Sequence, residues 1–234
     1  MPSALSDLEI LQSQSLSKAV QDEILRLILE GAFEAGQKLN ELDIAKRLGV
    51  SRGPVREAFR GLEEAKLLRL TKNRGVYVRE ITPQEEEELC ALRAGLDSLA
   101  GQMLAPRVQD AGIRELLGLV DDMAGLIAGG DLRGYLTCNS RFHDRIVEMA
   151  GNRKLLEIYR RLVNEMHLVR RDGIALDNGS LQSNQEHREL VEALAVGDAQ
   201  KSADTARKHV LNVRQRFLAA RPAAPGGNGG DRGS

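Results

Sequence analysis

Ser51-Arg52-Gly53-Pro54-Val55-Arg56-Glu57-Ala58-Phe59-Arg60-Gly61-Leu62 is the stretch on which the reading of this chain turns. Ser51 suits a helix N-cap, because its hydroxyl can accept a bond from an unpaired first-turn N–H. Pro54 falls within that first turn, where a missing N–H costs nothing. Val55, Ala58, Phe59 and Leu62 then recur at helical spacing and form one apolar face. Arg52, Arg56 and Arg60 stand four apart and make a cationic stripe beside it. An arginine triplet at this spacing can also be the solvated face of an ordinary helix, so the flanking sequence decides.

Upstream, Leu39-Asn40-Glu41-Leu42-Asp43-Ile44-Ala45-Lys46-Arg47-Leu48-Gly49-Val50 reads as a short amphipathic helix closing at Gly49, in the tight turn of a helix-turn-helix. Downstream, Thr71-Lys72-Asn73-Arg74-Gly75-Val76-Tyr77-Val78 reads as a basic turn followed by a β-strand. Helix, turn, helix and basic hairpin together predict a winged helix-turn-helix. Its second helix docks on a small core with one face and offers cations to phosphates and base edges with the next.

Charge is distributed to match. Between Lys46 and Arg79 there are ten Lys/Arg and three Asp/Glu, a local +7 in a chain whose net charge is −1. The remainder is therefore acidic, as expected for a nucleic-acid-facing module joined to a second one. The 234 residues, 42% hydrophobic with 3% aromatics and no Trp, suit one large or two modest domains packed from Leu- and Ala-rich helices. Cys90 and Cys138 have neither metal nor disulfide spacing, so free thiols in a reducing cytoplasm are expected. No apolar run reaches membrane-spanning length, and no secretion-signal pattern opens the chain.

Four segments are expected along the chain. Residues 1–14 are polar and aperiodic and read as disordered. Residues 15–80 form the winged helix-turn-helix, opened by a helix from Lys18 to Gly31. Thr82-Pro83-Gln84-Glu85 reads as a capping box with Pro at the first helical position, which starts a second, all-α domain over 81–220. Glycine-bearing junctions divide it into six helices near 83–105, 110–128, 131–149, 152–172, 180–196 and 199–219. From Arg221 the Pro-, Gly- and Ala-rich tail, 221–234, reads as disordered.

Three of the four histidines lie on apolar faces of different helices. Tyr135, Asn139, Phe142, His143, Ile146 and Val147 share one stripe, and Asn139 and His143, four apart, point inward together. His187 shares a face with Leu190, Val191 and Leu194, and His209 with Ala206, Val210 and Val213. A single buried His is usually a hydrogen-bonded core residue. Three on facing helices point instead to a transition-metal site for zinc, nickel or manganese, with Asn139 as an oxygen donor. His167 reads as structural. A metal within an apolar cavity attracts carboxylates, so Arg93, Tyr135 and Asn139 are the candidates for an acid effector. Arg93 reads either as that clamp or as a surface ion pair with Asp97.

These features together resemble the GntR family of bacterial transcription regulators, in its FadR-like branch. The resemblance spans roughly residues 17–218. Its first signature is Leu48-Gly49-Val50-Ser51-Arg52-Gly53-Pro54-Val55-Arg56-Glu57-Ala58, with Leu62-Glu63 and the wing's Gly75-Val76-Tyr77-Val78. Its second is an FCD-type C-terminal domain, marked by Arg93, Asn139, Phe142-His143, Ala150-Gly151-Asn152, Glu186-His187, Gly197-Asp198, Ala206 and His209. The resemblance implies a homodimer on a palindromic operator, released or rearranged by a small carboxylic-acid metabolite. By position, Ser51, Arg52, Pro54 and Arg56 match residues that the family uses at DNA, and Lys72, Asn73, Arg74 and Gly75 match its wing. Gly53 and Arg60 complete the expected DNA-facing set. His143, His187 and His209 match the family's metal histidines. Asn139 stands where many relatives carry Asp, and an amide oxygen is a weaker, uncharged donor. Leu42 stands where many carry Arg, and Asp97 where Glu is usual.

The expected function is thus a cytoplasmic, non-enzymatic transcription regulator, a repressor, controlled by an organic acid beside a metal. Hydroxy-, keto- and dicarboxylic acids lead as effectors, followed by sugar acids and amino acids. The alternative from another class is a metalloenzyme with a hydrolase-like three-His site and an attached DNA-binding module. In a third reading the metal is structural only.

Overall fold

Nine helices and one three-stranded sheet make up the described residues, 7–169 and 178–220, of the computed structural model. The order is α1 (Asp7–Leu29), β1 (Lys38–Leu39), α2 (Glu41–Leu48), α3 (Arg52–Glu64), β2 (Leu68–Thr71), β3 (Gly75–Val78), α4 (Pro83–Leu104), α5 (Asp110–Ala128), α6 (Leu132–Met149), α7 (Arg153–His167), α8 (Asn178–Val196) and α9 (Ala199–Ala220). The described chain divides into two compact units, residues 7–93 with 152–169 and residues 94–151 with 178–220. No described helix is long and apolar enough to cross a membrane.

The first unit contains the winged helix-turn-helix. α1 packs along α3, burying Val20, Ile24 and Ile28 against Val55, Phe59 and Leu62, none more than 4% exposed. Burying each such side chain contributes about 1.5–3 kcal/mol. α2 starts at Glu41 because Asn40, in an extended conformation, accepts the Leu42 N–H on its Oδ1 at 2.8 Å. It stops at Gly49, whose φ of +66° belongs to the left-handed region. A residue with a Cβ would meet a cost of about 1–2 kcal/mol there. The sheet order is β1-β3-β2, antiparallel throughout, with Leu39 opposite Val76 and Leu68 opposite Val78. The wing turn closes by an Arg74 N–H donating to the Thr71 carbonyl at 2.9 Å, with Asn73 at φ +61°.

Three expectations for this region change. α1 begins at Asp7, so residues 7–14 are helical rather than disordered. Leu39 is not the start of a helix but part of β1, because the cap at Asn40 keeps everything before it outside α2. Ser51 is the N-cap residue of α3 by its backbone, yet its side chain makes no capping hydrogen bond.

The capping box opens α4 as expected. The Glu85 N–H donates to Thr82 Oγ1 at 3.2 Å, and the Thr82 N–H donates to Glu85 Oε2 at 3.1 Å. Just before it, Arg79 pairs with Glu85, reaches Glu165 of α7 at 2.8 Å, and donates to the Lys66 carbonyl at 3.2 Å. Leu168, beyond α7, is 5% exposed and belongs to the same apolar core as Val20, Phe59 and Val78. A cut at residue 80 would therefore separate Leu168 from the core that it completes.

In the second unit α5 packs on α6 and α8, and α8 on α9. Leu116, Val120, Met123, Phe142, Val147 and Leu194 are fully buried at its centre. A Cβ at Gly101 would stand 2.9 Å from the Ser202 carbonyl oxygen, so α4 and α9 approach there at a distance only glycine permits. The expected helix at 152–172 ends as an α-helix at His167. Residues 170–172 and the tail 221–234 lie outside the described residues, as do residues 1–6.

Candidate functional site

The apolar side of α3 is buried through Val55, Ala58, Phe59 and Leu62, and this leaves its cations outside. Arg52, Arg56 and Arg60 have side chains 60%, 54% and 60% exposed. Ser51 and Gly53 are exposed and Pro54 is partly so. In the wing, Lys72, Asn73, Arg74 and Gly75 are all exposed, and the Tyr77 hydroxyl donates to the Arg74 carbonyl at 3.1 Å. One charged partner is not legible in the sequence. Glu41, the first residue of α2, accepts Arg52 Nε at 2.6 Å, Arg56 Nε at 3.1 Å and Arg56 Nη2 at 3.0 Å. Arg60 instead pairs within its own helix with Glu57 at 2.9 Å.

In the second unit, α6, α8 and α9 bring His143, His187 and His209 together. All three are at most 3% exposed. His187 Nε2 lies 3.2 Å from His143 Nε2 and 3.2 Å from His209 Nε2. Phe142 leans on the His187 ring, with centroids 4.7 Å apart. His167, on α7, is not part of this group.

The partners behind the rings fix which nitrogens face inward. His209 Nδ1 donates to Glu186 Oε2 at 2.8 Å, and Asp97 Oδ1 lies 3.2 Å from His143 Nδ1. With Nδ1 of His209 carrying the proton, its Nε2 presents a lone pair. A neutral imidazole has one N–H, so three converging Nε2 atoms cannot satisfy one another by hydrogen bonds alone. A shared cation resolves this. Nitrogens each about 2.0–2.1 Å from one ion stand about 2.8–3.0 Å apart at right angles and about 3.3–3.4 Å apart at the tetrahedral angle, and the two 3.2 Å separations fall between. The donor set fits a divalent transition metal.

Glu186 anchors this arrangement. Burial alone would raise its carboxyl, but bonds from Arg216 at 2.8 and 2.9 Å, from His209, and from Asn212 at 2.8 Å outweigh it and hold the value at about 2. A carboxyl depressed below its usual 4.5 contributes fully above about pH 4.5, and its contribution is lost only as the pH falls through about 2. Glu186→Gln is expected to weaken zinc affinity about 10–100-fold, read by competition with a coloured chelator. An unchanged affinity would show that His209 is oriented without it.

The remaining site residues are placed as follows. Tyr135 (5% exposed) and Asn139 (7%) are buried on the His143 face of α6, so the expected inward stripe is present. Arg93 and Asp97 are each 4% exposed, so neither side chain lies at the surface. Asn184 is missing from the expected set. It sits one turn before His187 on α8 and is buried, its Nδ2 donating to the Val120 carbonyl at 3.0 Å. Its Oδ1 is buried with no hydrogen-bond partner among the described residues. A buried acceptor left open this close to His187 suits a ligand bearing a hydroxyl or N–H.

Comparison with known proteins agrees with both halves. A family model described as "Bacterial regulatory proteins, gntR family" matches residues 16–78, and the FCD domain model matches residues 88–212. A protein of Paenarthrobacter nicotinovorans, named as a probable transcriptional repressor of a D-xylose utilization operon, is 30% identical over 219 residues, 92% of each chain. The gluconate operon transcriptional repressor of Bacillus licheniformis is 27% identical over 65% of this chain and 62% of its own. A crystal structure of a GntR transcriptional regulator from Rhodococcus sp. RHA1 superposes with a TM-score of 0.77 at 26% identity, over 89% of this chain and 100% of that one. McbR/YncC of E. coli also gives 0.77, at 19% identity over 87% and 97%, which speaks to the fold alone.

Proposed function

We propose, on the premise that this chain belongs to the gntR family of bacterial regulatory proteins and carries an FCD domain, that it represses transcription as a homodimer on a palindromic operator. A small organic acid, bound beside a metal in the FCD domain, weakens that binding. Similarity to proteins named as operon repressors supports the direction of control. The exposed cations of α3 and the wing support the operator contact, with the two recognition helices about one DNA turn apart. The observation that carries the effector half is the trio of buried Nε2 atoms 3.2 Å from their neighbours.

In this reading His143, His187 and His209 hold zinc, nickel or manganese, and Asn139 adds an amide oxygen. The bound ion supplies a positive centre for a carboxylate. Tyr135 and Asn184 then contribute polar groups beside it, and the open Asn184 Oδ1 favours an acid that also carries a hydroxyl. Glu186 argues against the hydrolytic alternative. Its carboxylate is engaged by Arg216, Asn212 and the back of His209, and so is poorly suited to act as a general base.

The test uses a duplex selected by the protein from a random-sequence library, followed by fluorescence anisotropy. Hydroxy-, keto- and dicarboxylic acids and sugar acids are added to zinc-loaded and chelator-stripped protein. One acid class is expected to weaken duplex binding about 5–150-fold in the loaded protein, the usual range of allosteric coupling. Equal action on stripped protein would make the metal structural. No response to any of these acids would remove the effector reading.

A further inference from the structure

We propose that Glu41 is a positioning residue for DNA reading, setting the direction of two recognition arginines at once. The inference rests on the reading of α3 as the recognition helix and goes one step beyond it.

A lone arginine on an exposed helix face samples many rotamers and loses that freedom on binding. Here one carboxylate removes much of the freedom in advance. Glu41 is itself fixed, as the first residue of a helix whose start is set by Asn40. Its side chain is 20% exposed, against 60% for Arg52 and 54% for Arg56. Both arginines sit on a helix locked down by Val55, Ala58, Phe59 and Leu62. Carboxylate and guanidiniums are therefore held by two separate helices in fixed register.

The atoms engaged matter more than the charge. Glu41 takes Arg52 by Nε alone, so both Nη groups of Arg52 keep all four of their N–H donors. It takes Arg56 by Nε and Nη2, which leaves Nη1 with both of its donors and Nη2 with one. The donor fork that grips guanine O6 and N7 is thus kept, while the inner edge of each guanidinium is tied. Arg56 and then Arg52 hold the Glu41 carboxyl below the usual range, so it is ionised wherever the protein would meet DNA.

This differs from a neutralising ion pair. A carboxylate between two arginines repels phosphate, and its loss should tighten binding to any duplex. If Glu41 positions the forks, its loss should also blunt the choice between sequences. Discrimination is therefore the diagnostic quantity, and affinity is not.

Full-length protein with Glu41→Ala or Glu41→Gln is titrated with the library-selected duplex and with a scrambled duplex of equal length, alongside Arg52→Ala and a thermal melt. The expected result for Glu41→Ala is a selected-to-scrambled affinity ratio at least about fivefold lower, from two freed side chains. Scrambled binding is equal or tighter and the melting temperature little changed. Glu41→Gln, which keeps an acceptor but loses the charge, falls between. A ratio unchanged in both variants overturns the proposal and leaves a charge effect. Selected and scrambled affinities falling together with the melting temperature also overturn it, leaving a structural role. If Arg52→Ala leaves selected binding intact, the recognition helix itself is misassigned and the Glu41 inference falls with it; if Arg52→Ala weakens binding while the ratio survives loss of Glu41, only the inference falls.

Discussion

His187→Ala is expected to abolish the metal-dependent part of the protein's stability. His187 is fully buried and is the histidine whose Nε2 lies 3.2 Å from both of the others. Removing it leaves His143 and His209 without the ring that joins them. A ligand that binds only the folded state stabilises by about 2.7 kcal/mol at a hundred times its dissociation constant. In a chain of this size that corresponds to a melting shift of about 5–11 °C. Wild-type protein should therefore melt about that much lower after chelation, whereas the variant should melt at the same temperature with and without chelator. The comparison matters because His187→Ala also leaves a cavity, which lowers both melts equally. A variant that still responded to zinc in full would show that the three imidazoles do not share one ion.

Arg52→Ala and Arg56→Ala should each weaken binding to the selected duplex about 5–150-fold, the worth of one good bidentate pairing with a base. The same substitutions report what the side chains touch. An arginine that reads a base edge lowers selected binding when it is removed and spares the scrambled duplex. An arginine that grips a phosphate lowers both on removal and makes the log–log salt slope shallower by about 0.9. Arg60→Ala is expected to do less, because Arg60 is held within its own helix by Glu57 rather than by α2. Wild-type affinity in Arg52→Ala would move the DNA-binding surface away from α3.

Periodicity makes most of this legible. Val55, Ala58, Phe59 and Leu62 forecast a buried helix face and are buried; Tyr135, Asn139, Phe142 and His143 forecast an inward stripe and are buried too. Helical spacing says which residues share a face of one helix, and so it finds the histidines. It does not say which faces meet. Glu186, next to His187 in sequence, points off the face that His187 shares with Leu190 and Leu194, and this direction is what brings it behind His209 on the next helix. Its partners carry a signal all the same: His209, Asn212 and Arg216 recur at spacings of three and four on one face of α9. Glu41 leaves no comparable trace, since its bonds to Arg52 and Arg56 depend on the angle between two helices joined through Gly49. Sequence spacing places Asp97 four residues after Arg93 but does not show that it also lies 3.2 Å from His143 Nδ1.

Leu168 has a consequence for how the protein is made. A ribosome adds roughly 5–20 residues each second, so the interval between Val78 and Leu168 lasts roughly 5–18 s. Throughout it the emerging amino-terminal segment lacks one of the apolar side chains in its own interior. The nascent chain thus holds an open greasy seat until translation is far into the second half, and a gene fragment ending after the wing would encode that seat permanently vacant.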